Sequence, residues 1–210
     1  MHNISENKDK TRILFVCHGN ICRSPMAEMI MKKMVADRGL AHLYQIDSAA
    51  TSTEEIGNDI YPPAKAELRR QGIPFTSRGA WQMTEQDYHR YDRIFVMDTN
   101  NLRWLNMRMP GIVRYKNGRY SDPGGKISLL MTLVGRNDDV ADPWYTGDFN
   151  RTYRDICEAL TALLEMNEYS RKCSLSRISS QSSYPSSSRK SRKPLAHWWK
   201  KRIFAKSRTI

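Results

Sequence analysis

Long apolar runs are missing from this sequence. No stretch of its 210 residues is apolar enough for long enough to span a bilayer. The first residues, Met1 to Arg12, are polar and lack the apolar core of a secretory leader. A cytoplasmic location is therefore expected. Cysteine is scarce, and Cys17, Cys22, Cys157 and Cys173 form neither a disulfide framework nor a zinc-ligand spacing. That usage suits a compartment where thiols stay reduced. The histidines His2, His18, His42, His89 and His197 are scattered without ligand spacing, so no metal and no other cofactor is expected. Acidic residues are almost absent from one region: residues 167–210 hold twelve Lys/Arg and one acid, Glu168. Taking these from totals of 34 basic and 22 acidic residues leaves 22 and 21. Almost all of the formal charge of +12 thus belongs to the tail, and the body is nearly neutral.

What is present centres on the stretch from Ile13 to Glu28. Ile13-Leu14-Phe15-Val16 is short and apolar, the pattern of a buried strand. A small loop follows, with Cys17 at one end and Arg23 six positions on. Ser24-Pro25 is a helix start, serine as N-cap and proline in the first turn, and Met26, Met29, Ile30 and Met34 continue at helical spacing. A strand, a tight loop and a helix N-terminus make an anion site, because the first backbone N–H groups of the helix have no intrahelical partner. Arg23 adds a planar fork of donors suited to a tetrahedral oxyanion. The same positive field favours a thiolate at Cys17, and a thiolate below a phosphate is a nucleophile aimed at phosphorus.

Val16-Cys17-x-Gly19-Asn20-Ile21-Cys22-Arg23-Ser24-Pro25 resembles the phosphate-binding loop of the low-molecular-weight protein tyrosine phosphatase family. The resemblance continues through Asp47-Ser48-Ala49-Ala50-Thr51-Ser52, Tyr91 to Asp98 and Asp142-Pro143-Trp144-Tyr145. It implies a protein tyrosine phosphatase that hydrolyses phosphotyrosine in proteins, and small aryl phosphates, through a cysteinyl-phosphate intermediate. Cys17 is then the nucleophile, and His18, Gly19, Asn20, Ile21, Cys22, Arg23 and Ser24 cradle the phosphate. Arg23 binds two oxygens of the transition state, Ser24 donates to the Cys17 sulfur, and Asn20 steadies the loop through side-chain bonds to backbone. Ser48 supports Asn20. A general acid is needed opposite the sulfur. Residue type alone does not rank Asp142 against Asp138, Asp139 and Asp148; the resemblance selects Asp142. Trp144 and Tyr145 wall the substrate cleft, and Tyr145 matches a position phosphorylated in some members. Cys22 corresponds to the family's reversible disulfide partner of Cys17, with loop packing as the alternative. Thr53-Glu54-Glu55 stands where many members carry an aromatic, which makes that wall more acidic.

Three other activities share parts of this signature. Arsenate reductases need two further cysteines, and Ile73 to Ala141 contains none. Protein arginine phosphatases carry threonine at the position of Ile21 and a smaller residue after Asp-Pro, whereas Ile21 and Trp144 here favour a flat aromatic ester. A phosphoprotein-binding module has no need of Cys17, Arg23 and Asp142 together.

Strands are expected at Ile13–Val16, Tyr44–Ala50, Arg93–Met97 and Ile127–Val134. Helices are expected from Ser24, over Pro62–Gln71, after Thr84, over Asn100–Asn106 and over Arg151–Met166. Arg108–Lys126 reads as an irregular excursion and Asp138–Asn150 as a loop. Alternating strands and helices give an α/β fold, a doubly wound, flavodoxin-like, four-stranded parallel sheet with helices on both faces. Asp98 ends a strand on the ligand side and reads as a residue that orients loops. The organisation expected is a flexible N-terminus (1–11), a phosphatase domain (12–167) and a disordered basic tail (168–210) rich in serine, arginine and lysine. Leu195 to Phe204 mixes aromatics with cations, a composition suited to an anionic membrane surface or to nucleic acid.

Overall fold

The computed structural model describes the backbone of residues 10–181 and side chains as far as residue 172. The first strand, β1 (Thr11–Cys17), holds Ile13, Leu14, Phe15 and Val16 entirely out of solvent. Full burial along a strand requires cover on both faces, which a parallel sheet with crossover helices supplies. β1 pairs in parallel with β2 (Tyr44–Ala50) on one side and with β3 (Arg93–Val96) on the other. β6 (Ile127–Leu129) adds to β3, so the order is β2-β1-β3-β6, all parallel.

Between these strands run α1 (Arg23–Asp37), α2 (Pro62–Arg70), α3 (Glu85–Arg90) and α4 (Thr99–Arg108). Leu14, Val16, Ile94 and Val96 share one face of the sheet, packed in a core with Tyr88 of α3 and Leu102 and Leu105 of α4. The alternating residues Phe15 and Phe95 stack on the opposite face, and α1 lies against β1 and β2. The chain leaves β1 for β2 on one side and returns to β3 on the other. Cys17 therefore ends a strand at the point where the strand order reverses, where open α/β sheets bind ligands.

The expected architecture holds, with local corrections. The helix starts at Arg23, with Cys22 at the N-cap position and no side-chain cap; the Ser24 hydroxyl is used elsewhere, as described below. The apolar run from Ile127 is a strand only to Leu129, then a 3-10 turn over Leu130–Val134 closed by left-handed Gly135. Residues 108–126 contain a hairpin, β4 (Arg114–Lys116) and β5 (Arg119–Ser121). Its Asn117 and Gly118 both have positive φ, 52° and 76°, the pair a two-residue hairpin turn demands. The expected loop 138–150 contains a short helix, α5 (Pro143–Thr146), and the last helix, α6, starts at Phe149.

α6 (Phe149–Gln181) also continues past Met166, where a disordered tail is expected. The reason is visible in the chain: no glycine or proline falls between Gly147 and Pro185, so nothing stops the helix. Contacts divide the chain into two units, 1–163 and 164–210. The first holds the sheet and its helices, and the described part of the second is helical to Gln181. Residues 1–9 and the stretch Leu195 to Phe204 lie outside the described residues. No helix among the described residues is long and apolar enough to cross a membrane.

Candidate active site

The loop from Cys17 to Cys22 turns back on itself through Asn20, whose φ is 59°. A left-handed conformation costs a non-glycine residue about 1–2 kcal/mol, and Asn20 is held in it by its side chain. Its Nδ2 donates to Ser24 Oγ and to Ser48 Oγ, each at 2.9 Å. Its Oδ1 accepts from Arg78 Nη2 at 2.7 Å and from the Trp81 amide at 3.4 Å. The expected bonds to the loop's own backbone are thus replaced mainly by bonds to side chains of other elements. Ser48 carries a second tier: its hydroxyl donates to Glu28 Oε2 at 2.6 Å and accepts from Arg78 Nη1 at 2.7 Å. Glu28, Ser48 and Asn20 are all buried, and buried polar groups are tolerated where each finds a partner.

Ser24 Oγ lies 3.0 Å from Cys17 Sγ and 3.3 Å from the Ala49 carbonyl oxygen. Its single proton can serve the sulfur whenever Cys17 is a thiolate, an acceptor with no proton of its own. On the other side of the loop, Thr51 N donates to the carbonyls of Cys17 and His18, and Ser52 N to that of His18. Carbonyls are drawn outwards by the Ser-Ala-Ala-Thr-Ser loop.

Arg23 is 4% exposed. Its Nη1 donates to Asp98 Oδ2 at 2.6 Å, and its Nη2 lies 2.6 Å from Asp142 Oδ2. Burial works to lower its pKa, but the charges of Cys17, Asp98 and Asp142 outweigh it and hold the guanidinium even more firmly protonated. Asp98 divides its two oxygens: Oδ1 caps α4 by accepting from Asn101 N at 2.6 Å, and Oδ2 holds Arg23. Asp142 does the same. It is the N-cap of α5, its Oδ1 accepting from Trp144 N at 3.0 Å, while Oδ2 faces Arg23. The other acids of this region are engaged elsewhere. Asp138 binds Arg136, Asp139 accepts from Thr99, and Asp148 Oδ1 accepts from Arg151 N at the start of α6.

The walls of the site are mixed. Trp144 tilts against Tyr61 at 5.3 Å between ring centroids, and Tyr61 against Phe149 at 6.3 Å. Tyr61 and Phe149 pack on Ile21 and Cys22 of the loop. Trp144 is 56% exposed and Tyr145 85%, so both expected cleft aromatics stand at the surface. Across the mouth, His18 Nε2 meets Glu54 Oε2 at 3.0 Å, and its ring tilts against Trp104 at 5.3 Å. The acidic wall expected from Thr53-Glu54-Glu55 is there, and Trp104 brings an aromatic to it from α4. A Cβ on Gly19 would come within 2.9 Å of Glu55 Cγ, so glycine lets that side chain close on the loop.

Cys17, Cys22 and Cys157 are free thiols. Burial, then the charges of Cys17 and Asp142, push the Cys22 thiol from 9.0 up to about 12. Cys22 therefore stays protonated at neutral pH and leaves the loop's negative charge to others.

The sequence reading missed Arg78 and Glu28, which carry the loop's support, and Tyr61 and Trp104, which line its mouth. Asp98, which reads from the sequence as a residue that orients loops, binds Arg23 directly. Arg78 and Glu28 gave no motif signal; the interior position of Glu28 on an otherwise apolar helix face was the trace available.

The sequence model described as low molecular weight phosphotyrosine protein phosphatase matches residues 12–174. The human low molecular weight phosphotyrosine protein phosphatase is 37% identical over 156 residues, 73% of this chain and 93% of the human one. The Bacillus subtilis low molecular weight protein-tyrosine-phosphatase YfkJ is 38% identical over 158 residues, 73% of this chain and 95% of its own. The crystal structure of YfkJ superposes with a TM-score of 0.68 at 34% identity, over 78% of this chain and 98% of that one. The crystal structure of the Drosophila arginine phosphatase DARP gives 0.63 at 31% identity, over 74% and 96%.

Two outcomes follow from this geometry. Replacing Asn20 by alanine strands buried partners and leaves the left-handed backbone without compensation. Asn20→Ala is expected to lose about 2–4 kcal/mol of unfolding free energy in urea titration; a loss under about 0.5 kcal/mol would contradict the role given to its side chain. The raised Cys22 thiol has a defined pH consequence. Above about pH 9 the unfolded chain releases this proton while the folded chain keeps it up to about 12, so the unfolded state binds fewer protons and stability falls as pH rises through that window. Thermal melts at about pH 8 and about pH 11 should show a larger drop for the wild type than for Cys22→Ser, and equal drops would remove the assignment.

Proposed function

The chain belongs to the low molecular weight phosphotyrosine protein phosphatase family, and on that premise we propose that it hydrolyses phosphotyrosine in protein substrates through a cysteinyl-phosphate intermediate. The observation that carries this reading is the pair of 2.6 Å contacts made by buried Arg23, one to Asp98 and one to Asp142. They bring a candidate acid to the edge of an anion cradle that has a cysteine at its base.

The phosphoryl dianion enters the loop, where the unpaired N–H groups opening α1 and the Arg23 guanidinium receive its oxygens. Arg23 Nη1 stays on Asp98, and Nη2 turns from Asp142 to a phosphoryl oxygen. The Cys17 thiolate attacks phosphorus in line with the leaving oxygen. The sulfur–phosphorus bond forms, the phosphorus–oxygen bond to the phenol breaks, and the Asp142 carboxyl gives its proton to that oxygen. Arg23 meets two equatorial oxygens as charge spreads over them. Water then enters from the vacated side, and Asp142, now a carboxylate, takes its proton. The sulfur–phosphorus bond breaks, phosphate leaves, and the Ser24 hydroxyl donates to the sulfur that departs as thiolate.

Trp144 and Tyr61 flank the entry for a flat ring. The same reading assigns Cys22 as the thiol that closes a disulfide with a Cys17 oxidised by peroxide, and it includes a cytoplasmic location with reduced thiols. A second reading has one observation in its favour. Glu54 and Glu55 give the mouth a carboxylate wall, which suits the cationic group of a phosphoarginine, and the Drosophila arginine phosphatase is among the similar structures.

Hydrolysis of an aryl phosphate without added metal tests the proposal. Cys17→Ser is expected to be inactive, and Asp142→Ala to lose about 10²–10⁴-fold in turnover, the range of a general acid. Activity in Cys17→Ser would end the covalent mechanism; a wild type inactive on phosphotyrosine peptides but active on phosphoarginine would select the second reading. Retained phosphopeptide binding by a wild type with no hydrolysis would point to a binding module.

A further inference from the structure

We infer that Thr152 and Asp155, one turn apart on α6, are positioning residues for the Asp142 carboxyl. The inference rests on the reading of Asp142 as general acid. Its starting point is the residue before Asp142. Ala141 has both its backbone polar groups taken by side chains: its carbonyl accepts from Thr152 Oγ1 at 2.7 Å, and its amide donates to Asp155 Oδ2 at 3.3 Å. Thr152 is fully buried and Asp155 is 8% exposed.

The Ala141 carbonyl belongs to the peptide plane that continues into the Asp142 nitrogen. A peptide unit is planar, so a bond that fixes the carbonyl direction also fixes the bond from which the Asp142 side chain is swung. Downstream, Asp142 Oδ1 is tied to Trp144 N. The carboxylate is thus set at both ends, and Oδ2 is the oxygen left to face the phosphate site. Upstream, Val140 N donates to the Met97 carbonyl, and Asp139 accepts from the amide and hydroxyl of Thr99. Those bonds anchor the loop to the sheet, but they end two residues short of the acid.

Asp155 is itself held. Its Oδ1 lies 3.5 Å from Arg136 Nη1, and Arg136 also pairs with Asp138 and with Glu158. The bonds to Asp138, above all, keep Arg136 more firmly protonated than usual. The chain of contacts runs from an exposed ion cluster through buried Asp155 to the backbone beside the acid. Thr152 and Asp155 meet the backbone of Ala141, not the acid itself, so each acts through Ala141.

The test reads how much a rate depends on the acidity of the leaving phenol. A general acid matters most for a poor leaving group and hardly at all for a very good one. kcat/KM is measured for the full chain with phenyl phosphate and with dinitrophenyl phosphate. Thr152→Val is expected to lose about tenfold with phenyl phosphate and less than about twofold with dinitrophenyl phosphate, a part of the general-acid effect. Thr152→Ser, which keeps the hydroxyl, restores the wild-type pattern, and Asp155→Ala follows Thr152→Val. Inhibition by inorganic phosphate is no weaker in Thr152→Val than in the wild type, since the cradle itself is intact. An equal loss with both substrates, or no loss, overturns the inference. Asp142→Asn run alongside separates the two claims. If Asp142→Asn also loses equally with both substrates, the acid assignment fails and this inference with it. If Asp142→Asn is selective and Thr152→Val is not, only the positioning role fails.

Discussion

A buried guanidinium between two carboxylates is the constraint on which this molecule's site depends. Removing a charge from water costs several kcal/mol unless it is paired, and Arg23 at 4% exposure is bearable because Asp98 and Asp142 stand against it. Each partner is fixed in turn by a helix start, Asp98 capping α4 and Asp142 capping α5. The arginine therefore ties the ends of three separate segments to one point: the start of α1, the end of β3 and the loop before α6. None of these need meet for secondary structure alone. They meet because leaving any one of them out strands a charge.

The second constraint is conformational. The loop must reverse direction within a few residues, and it does so through a left-handed asparagine. Here too the cost is met from a distance, by Ser48 on β2, Glu28 on α1 and Arg78 in the segment before α3. The two networks use different residues, and Ser24 touches both the asparagine and the Cys17 sulfur. Rigidity of the cradle and readiness of the sulfur are joined at one hydroxyl.

How far a sequence discloses such a site depends on the distance between partners. The strand, loop and helix around Cys17 were legible because they are contiguous, and the apolar period, the cysteine and the arginine sit within sixteen residues of chain. Asp142 needed a resemblance, since four acids crowd its region and residue type does not separate them. The Arg23–Asp98 and Arg78–Asn20 contacts join residues 75 and 58 positions apart, and no local pattern carries that information. The fold's errors have other causes. An apolar run such as Ile127–Val134 has no period that separates strand from helix, and it became both. The hairpin at Asn117-Gly118 was readable from its turn residues and was passed over amid the glycines and prolines around it. The length of α6 was hidden by composition, because a polar, serine-rich stretch without breakers can still be helical.

The contact between Asp142 and Arg23 has a consequence for affinity. Under the proposed function, the Asp142 carboxylate stands on the guanidinium nitrogen that an incoming phosphoryl oxygen takes, so the chain carries its own internal competitor. On that reading, every oxyanion bound here is bound net of the work of moving a carboxylate aside. With Asp142 as the proposed acid, the residue that speeds departure of the phenol also weakens the grip on the phosphate, and a chain without that carboxylate holds its substrate more tightly while turning it over more slowly.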